Sequence, residues 1–193
     1  LSTSDYKHLM PLCDSLLSWC EPNHVSLSLP SLRADNFSLE LMNKVQKVRK
    51  TGLTFAPEAG TQRLRDVINK NVKEEDLLRS CRIAFEGGWN GVKLYFMLGL
   101  PTETDEDVVG IANLADKVYQ TWKQHAGNKS RGVRITVSTS LFVPKPHTPF
   151  QWCKREDTKS LEFKQKFLTK ELAKMGIKSK FSSAKWDYWQ TVL

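Results

Sequence analysis

The stretch from Gly91 to Thr104, GVKLYFMLGLPTET, constrains the fold more than any other part of the chain. Its first half is a short apolar run of Val92, Leu94, Tyr95, Phe96, Met97 and Leu98, the pattern of a buried strand. Gly99-Leu100-Pro101 ends the run, because proline has no N–H for a ladder and glycine lets the chain bend or another molecule approach. Thr102 or Thr104 can then cap a helix whose first turn carries Glu103, Asp105, Glu106 and Asp107, acids that suit the positive end of a helix. The helix is predicted from Asp105 to about Gln124. Strand, tight loop and helix in this order belong to parallel α/β folds, in which ligands gather at the C-terminal strand ends.

The same alternation recurs along the chain. A helix is predicted from about Tyr6 to Trp19, with Leu9, Leu12, Leu16 and Leu17 on one side, then a strand over His24–Leu29 and an amphipathic helix over Ser38–Lys50. Gly52–Ala56 reads as a strand ending at Pro57-Glu58-Ala59-Gly60, with Thr61 capping a helix that runs through Ile68. A helix from Lys73 to Phe85 stops at Gly87-Gly88. A strand over Arg131–Val143 sets Ile135, Val137 and Thr139 against Thr136, Ser138 and Ser140, and ends in the proline-studded run Pro144–Phe150. Beyond it come a charged helix over Asp157–Met175, a short strand over Gly176–Phe181 and a helix from Trp186. The fold class is therefore α/β, with parallel strands and outer helices. Residues 1–152 form the barrel part and residues 153–193 an α-rich extension.

Composition narrows the function classes. The net charge of +8 permits an anionic partner such as RNA, although such an excess also describes an ordinary solvated surface. A basic helix at 44–50 and a basic tail from Lys154 to Lys185, interleaved with Phe163, Phe167, Phe181 and Trp186, are where nucleic acid would bind. The four cysteines, Cys13, Cys20, Cys81 and Cys153, have no zinc-site spacing and read as buried free thiols of a reducing compartment. No apolar run reaches the ~20 residues needed to span a bilayer, and no signal peptide is visible, so a cytoplasmic location and no membrane partner are expected. The chain begins at Leu1, within sequence that reads as structured, and is expected to be a piece of a longer protein.

Four stretches together resemble the radical S-adenosylmethionine (radical SAM) enzymes: SLSLPSLRAD (26–35), TGLTFAPEAGTQRLRDVINK (51–70), LYFMLGLPTET (94–104) and STSLFVPKPHTPFQW (138–152). They are most similar to the B12-binding-type members. The resemblance implies a partial TIM-type (β/α)6 barrel that holds S-adenosylmethionine at its C-terminal strand ends. It also implies a [4Fe-4S] cluster on a CxxxCxxC motif, with reductive cleavage of S-adenosylmethionine to a 5′-deoxyadenosyl radical that abstracts hydrogen from an unknown substrate. This chain contains no CxxxCxxC. The expectation is a fragment of the catalytic barrel, inactive by itself, whose parent carries the cluster ligands and has room for a cobalamin domain. An open sheet edge left by the missing strand would favour self-association.

Carried over position by position, the resemblance places Ser2, Thr3 and Ser4 near the amino group of S-adenosylmethionine, where a plain helix cap with Asp5 is the alternative. Ser31 and Arg33 stand at a strand end, where the arginine fork suits a carboxylate or a salt bridge to Asp35. Glu58 is matched to the residue that accepts from the amino or ribose groups, with a structural link to the following helix N-terminus as the alternative. Leu98 and Gly99 are matched to the adenine contact, with Met97 assigned to the core. Phe142 and Val143 are matched to the backbone that reads the adenine edge. Arg65 is expected on the surface, Glu103 as a first-turn acid, and His147 as a structural loop residue rather than a proton shuttle. A basic RNA- or tRNA-binding module and an unrelated (β/α)-barrel enzyme are the alternatives.

Overall fold

The computed structural model describes residues 6–25, 27, 52–127, 129, 130 and 132–192. The predicted helix over 38–50 lies outside them, as do Ser26, Ser28 and Leu29 of the strand predicted over 24–29, while the described His24, Val25 and Leu27 are not in a strand.

The described elements are α1 (Leu9–Cys20), β1 (Leu53–Glu58), α2 (Gln62–Val67), α3 (Glu74–Glu86), β2 (Gly91–Leu98), α4 (Asp105–His125), β3 (Arg134–Leu141), α5 (Thr158–Lys174), β4 (Lys178–Phe181) and α6 (Ala184–Val192). The strands form one parallel sheet in the order β1-β2-β3-β4. In the last pair, Thr136 sits opposite Lys178 and Thr139 opposite Phe181. A strand–helix alternation with parallel, sequential neighbours is a part of a (β/α) barrel of the expected type.

Burial alternates strictly along β1, β2 and β3. Phe55, Leu94, Phe96, Leu98 and Val137 occupy the fully buried face. Each such side chain contributes about 1.5–3 kcal/mol on leaving water, so this face dominates the sheet's stability. The predicted apolar run in β2 is therefore not uniformly interior. Tyr95 is exposed and Met97 only partly buried, because the strand period of two turns them to the opposite face.

The chain divides into two compact units. The first comprises Leu1–Ala56, Val72–Lys93 and Val118–Arg134. Here α1 buries Leu9, Cys13, Leu17 and Cys20, while Leu12 and Leu16 are exposed. The predicted leucine stripe is thus rotated, because the two thiols serve as small apolar residues and complete a different stripe at helical spacing. Helix α3 ends as its Gly-Gly pair requires. Gly88 has φ 85°, its N–H donates to Phe85 O at 3.0 Å, and Trp89 N–H donates to Ala84 O at 3.0 Å. These are the two bonds of a Schellman cap.

The second unit comprises Pro57–Asn71, Leu94–Lys117 and Ile135–Leu193. It repeats the cap at the end of α5, where Gly176 (φ 69°) donates to Ala173 O and Ile177 to Leu172 O, each at 3.0 Å. That turn delivers the chain into β4. No helix among the described residues is long and apolar enough to cross a membrane.

Candidate functional site at the strand ends of the second unit

Parallel strands in sequential order bring the ends of β1, β2 and β3 to one edge, at Glu58, Leu98 and Leu141. At the first of these ends Glu58 has φ 67°, a left-handed conformation uncommon for a residue with a side chain and concentrated at functional sites. Its carboxylate lies 3.2 Å from Lys70 Nζ, and both groups are partly open to water, which keeps the pair weak. Behind the turn, Arg65 is buried, contrary to its expected surface position. Its Nη1 donates to Ala59 O at 2.8 Å and its Nη2 to Gln62 Oε1 at 3.2 Å, so the guanidinium pins the carbonyl that follows Glu58. Lys70, not Arg65, meets the Glu58 carboxylate. Thr61 caps α2 as predicted, its hydroxyl accepting from Leu64 N–H at 3.2 Å.

This turn rests directly on the backbone of α4. A Cβ at Gly60 would collide with Asp107 O, Ile111 N and the carbonyl carbon of Gly110, and a Cβ at Gly110 would come within 2.9 Å of Thr61 Cγ2. The sequence carried the signal only as two isolated glycines, one in a loop and one inside a helix, where glycine often marks close backbone approach.

Asp107, in the first turn of α4, is the polar hub. Its side chain is buried and accepts from Thr61 Oγ1 and Arg63 Nη2. It also accepts from Thr104 N–H at 2.8 Å and Thr104 Oγ1 at 2.9 Å, while Asp107 N–H donates back to Thr104 Oγ1 at 3.4 Å. This is a capping box, and it selects Thr104 over Thr102 as the cap. Burial pushes the Asp107 carboxyl up, but hydrogen bonds from Thr61, the Thr104 amide, Arg63 and the Thr104 hydroxyl outweigh it, and the carboxyl is held below the usual aspartate range. Arg63 Nη2 also donates to Thr102 O at 2.8 Å. Thr102 is left-handed (φ 65°) within the turn Leu100–Glu103, which closes through Glu103 N–H to Leu100 O at 3.0 Å. Proline second and a positive φ third is the pattern of a type II turn.

Gly99 has φ 76° and donates its N–H to Glu103 Oε1 at 3.0 Å. The room left by its missing Cβ faces Leu161 Cδ2 at 2.9 Å and Glu156 Oε2 at 3.4 Å. Glu103 is more than a first-turn acid. Its side chain is only 3% exposed, and Lys164 Nζ lies 2.8 Å from the same oxygen that holds Gly99. Lys164 reaches Glu156 Oε2 at 2.7 Å as well, and Ser160 Oγ donates to the other Glu156 oxygen. One cation thus serves two carboxylates. Burial pushes the Glu103 carboxyl up despite Lys164 and the Gly99 amide. Burial would lower the Lys164 ammonium, but hydrogen bonds to both glutamates raise it, so it stays charged.

Leu98 is fully buried, whereas Met97 is partly buried on the other face and packs on the cluster of Ala59, Leu64, Leu100 and Phe142. Phe142 N–H donates to Leu98 O at 2.8 Å, tying the second and third strand ends together, and its ring meets Phe150 edge-on at 6.1 Å. Val143 follows, beyond the last residue of β3. His147 is exposed and left-handed (φ 61°), with its backbone N–H on Gln151 Oε1. Glu58, Leu98, Gly99, Phe142 and Val143 thus share one unit, while Ser2, Thr3, Ser4, Ser31 and Arg33 lie outside the described residues.

A carboxylate acceptor, an apolar thioether side chain and strand-end backbone suit an adenosyl ligand with an amino-acid tail. A metal cluster fits less well. None of the four cysteines is in a disulfide: Cys13, Cys20 and Cys81 are buried and Cys153 is half-buried. Among the described residues no group of three or more His, Cys, Asp or Glu is placed to hold a metal ion. A cluster that takes cysteine thiolates has no seat there.

Comparison with known proteins places the chain among relatives. The Radical SAM superfamily matches residues 5–115. An uncharacterized protein of Methanocaldococcus jannaschii is 38% identical over 182 residues, covering 94% of this chain. The chain spans 37% of that relative's length.

Proposed function

Because the chain belongs to the radical SAM superfamily, we propose that its second unit supplies part of a binding site for S-adenosylmethionine in an enzyme that uses it for radical chemistry. Members of the superfamily generally use S-adenosylmethionine together with a [4Fe-4S] cluster. The observation that carries the proposal is Glu58, a strained, partly exposed carboxylate at a C-terminal strand end, inside the matched residues.

In this reading Glu58 accepts from the amino or ribose groups, and the turn pinned by Arg65 fixes its direction. Met97, on the less buried face, takes the adenine contact expected of Leu98, and Leu98 supports it from beneath. Gly99 keeps the turn in its left-handed conformation, and Phe142 and Val143 offer strand-end backbone to the base edge. Ser2, Thr3, Ser4, Ser31 and Arg33 complete the site on the sequence motifs alone. Bound S-adenosylmethionine would supply a 5′-deoxyadenosyl radical to abstract hydrogen from the substrate. The cluster ligands are proposed to lie in the parent protein outside this chain, so the 193-residue piece alone is inactive. The B12-binding subtype likewise rests on the sequence motifs.

The test is binding of S-adenosylhomocysteine to the full-length protein by calorimetry, with Glu58→Gln beside the wild type. Loss of one charge-assisted acceptor weakens binding about tenfold or more. Equal affinity of the two proteins removes Glu58 from the site, and no binding by either rejects the reading.

A second reading, RNA binding, is favoured by one feature. Trp152, Phe163, Trp186 and Trp189 are strongly exposed within a lysine-rich stretch, as in surfaces that stack single-stranded bases. Affinity for single-stranded RNA that falls steeply with salt and drops in Trp152→Ala supports it, and weak, salt-insensitive binding rejects it.

A further inference from the structure

We propose that helix α5, which lies outside the residues matched to the family, is a positioning element of the Gly99–Glu103 turn and sets the affinity of the site through Lys164. The inference rests on the reading of that site as the one for S-adenosylmethionine.

Three contacts converge on the turn from the C-terminal segment. Leu161 fills the space beside the Gly99 Cα, so the close approach that a glycine permits is used here by the protein itself. Glu156 comes within 3.4 Å of the same point. Lys164 holds the Glu103 oxygen that in turn holds the Gly99 N–H, which makes a continuous chain from helix to turn. The turn needs such support. It contains left-handed Thr102, a β-branched residue, as well as left-handed Gly99, and strained backbone persists where its surroundings over-determine it. A buried carboxylate and a partly exposed one held by one shared cation tolerate few other arrangements, so the network fixes one conformation of the turn. The ligand, in this account, meets a turn already set in place and bears little ordering cost.

Lys164 touches no reacting group in this scheme, so its role is seen in affinity and local mobility. The experiment compares the full-length wild-type protein with Lys164→Met, Lys164→Arg and the milder Glu156→Gln. It measures amide hydrogen exchange of residues 99–104 without ligand and the Kd for S-adenosylhomocysteine. In Lys164→Met, exchange at 99–104 rises about tenfold or more while β3 and the middle of α4 keep wild-type protection, and Kd rises about tenfold. Lys164→Arg, which retains the charge, restores both to within about threefold, and Glu156→Gln gives a smaller change of the same sign. Unchanged exchange at 99–104 in Lys164→Met overturns the clamp, whatever the ligand does. Raised exchange with an unchanged Kd overturns its role in binding. A uniform rise in exchange across the unit, repeated in Glu156→Gln, reduces the network to general stability and also overturns the proposal. Failure of the wild type to bind refutes the reading of the site, separately from the exchange result.

Discussion

Replacing Asp107 by alanine removes the hub that joins α4 to the turn after β1. The carboxylate serves three partners, the Thr61 hydroxyl, the Arg63 guanidinium and the amide and hydroxyl of Thr104. At about 1 kcal/mol for each partner the sum is about 3 kcal/mol. Thr104 and Arg63 both reach water and recover part of their share, which lowers the expected loss to about 2–3 kcal/mol. With a urea m-value of about 2 kcal/mol/M, the unfolding midpoint falls by about 1–1.5 M at unchanged slope. Asp107→Asn keeps one carbonyl acceptor and loses about half as much. The assay is urea unfolding followed by circular dichroism. A midpoint for Asp107→Ala within about 0.2 M of wild type would refute the assignment of Asp107 as a structural hub.

The same carboxyl sets an acid limit. Because its folded value lies below the ordinary one, its stabilisation is complete above the ordinary aspartate range of about 4 and fades as pH falls through the lower folded value. Asp107→Asn should therefore lose less stability than wild type between about pH 5 and pH 2, and parallel pH curves would contradict this. Glu103 works in the opposite sense, its raised carboxyl costing stability above its ordinary range and relieving that cost as pH falls. Gly60→Ala places a methyl group against α4 backbone, which cannot rotate aside, and should cost about 3 kcal/mol in the same unfolding assay; a cost under about 1 kcal/mol would show that the close approach is not rigid.

Much of this fold was legible because local signals were unambiguous. The Gly87-Gly88 stop and the Thr61 cap each announce one local geometry, and the structure adopts both, while the acidic turn leaves Thr102 and Thr104 open as its cap and the structure takes Thr104. What escaped were relations between residues far apart in sequence. Nothing local marks Arg65 as buried, since its partners depend on how the turn after β1 folds back over α2. Glu103 reads as a helix-start acid until Lys164, 61 residues later, is brought against it. Met97 and Leu98 show a finer limit. An apolar pair in a strand must split between two faces, and an uninterrupted apolar run does not say which residue takes which face. In α1 leucines and thiols compete for one buried stripe, and the helix buries both thiols, which turns Leu12 and Leu16 outward.

The most direct measurement is 5′-deoxyadenosine formation from S-adenosylmethionine, under anaerobic reduction after iron and sulfide reconstitution. The full-length protein should form it, Glu58→Gln should form it more slowly, and the isolated 193-residue chain should form none. Absence of product from a fully iron-loaded full-length protein, or equal rates for wild type and Glu58→Gln, would contradict the account of this edge as a site for S-adenosylmethionine.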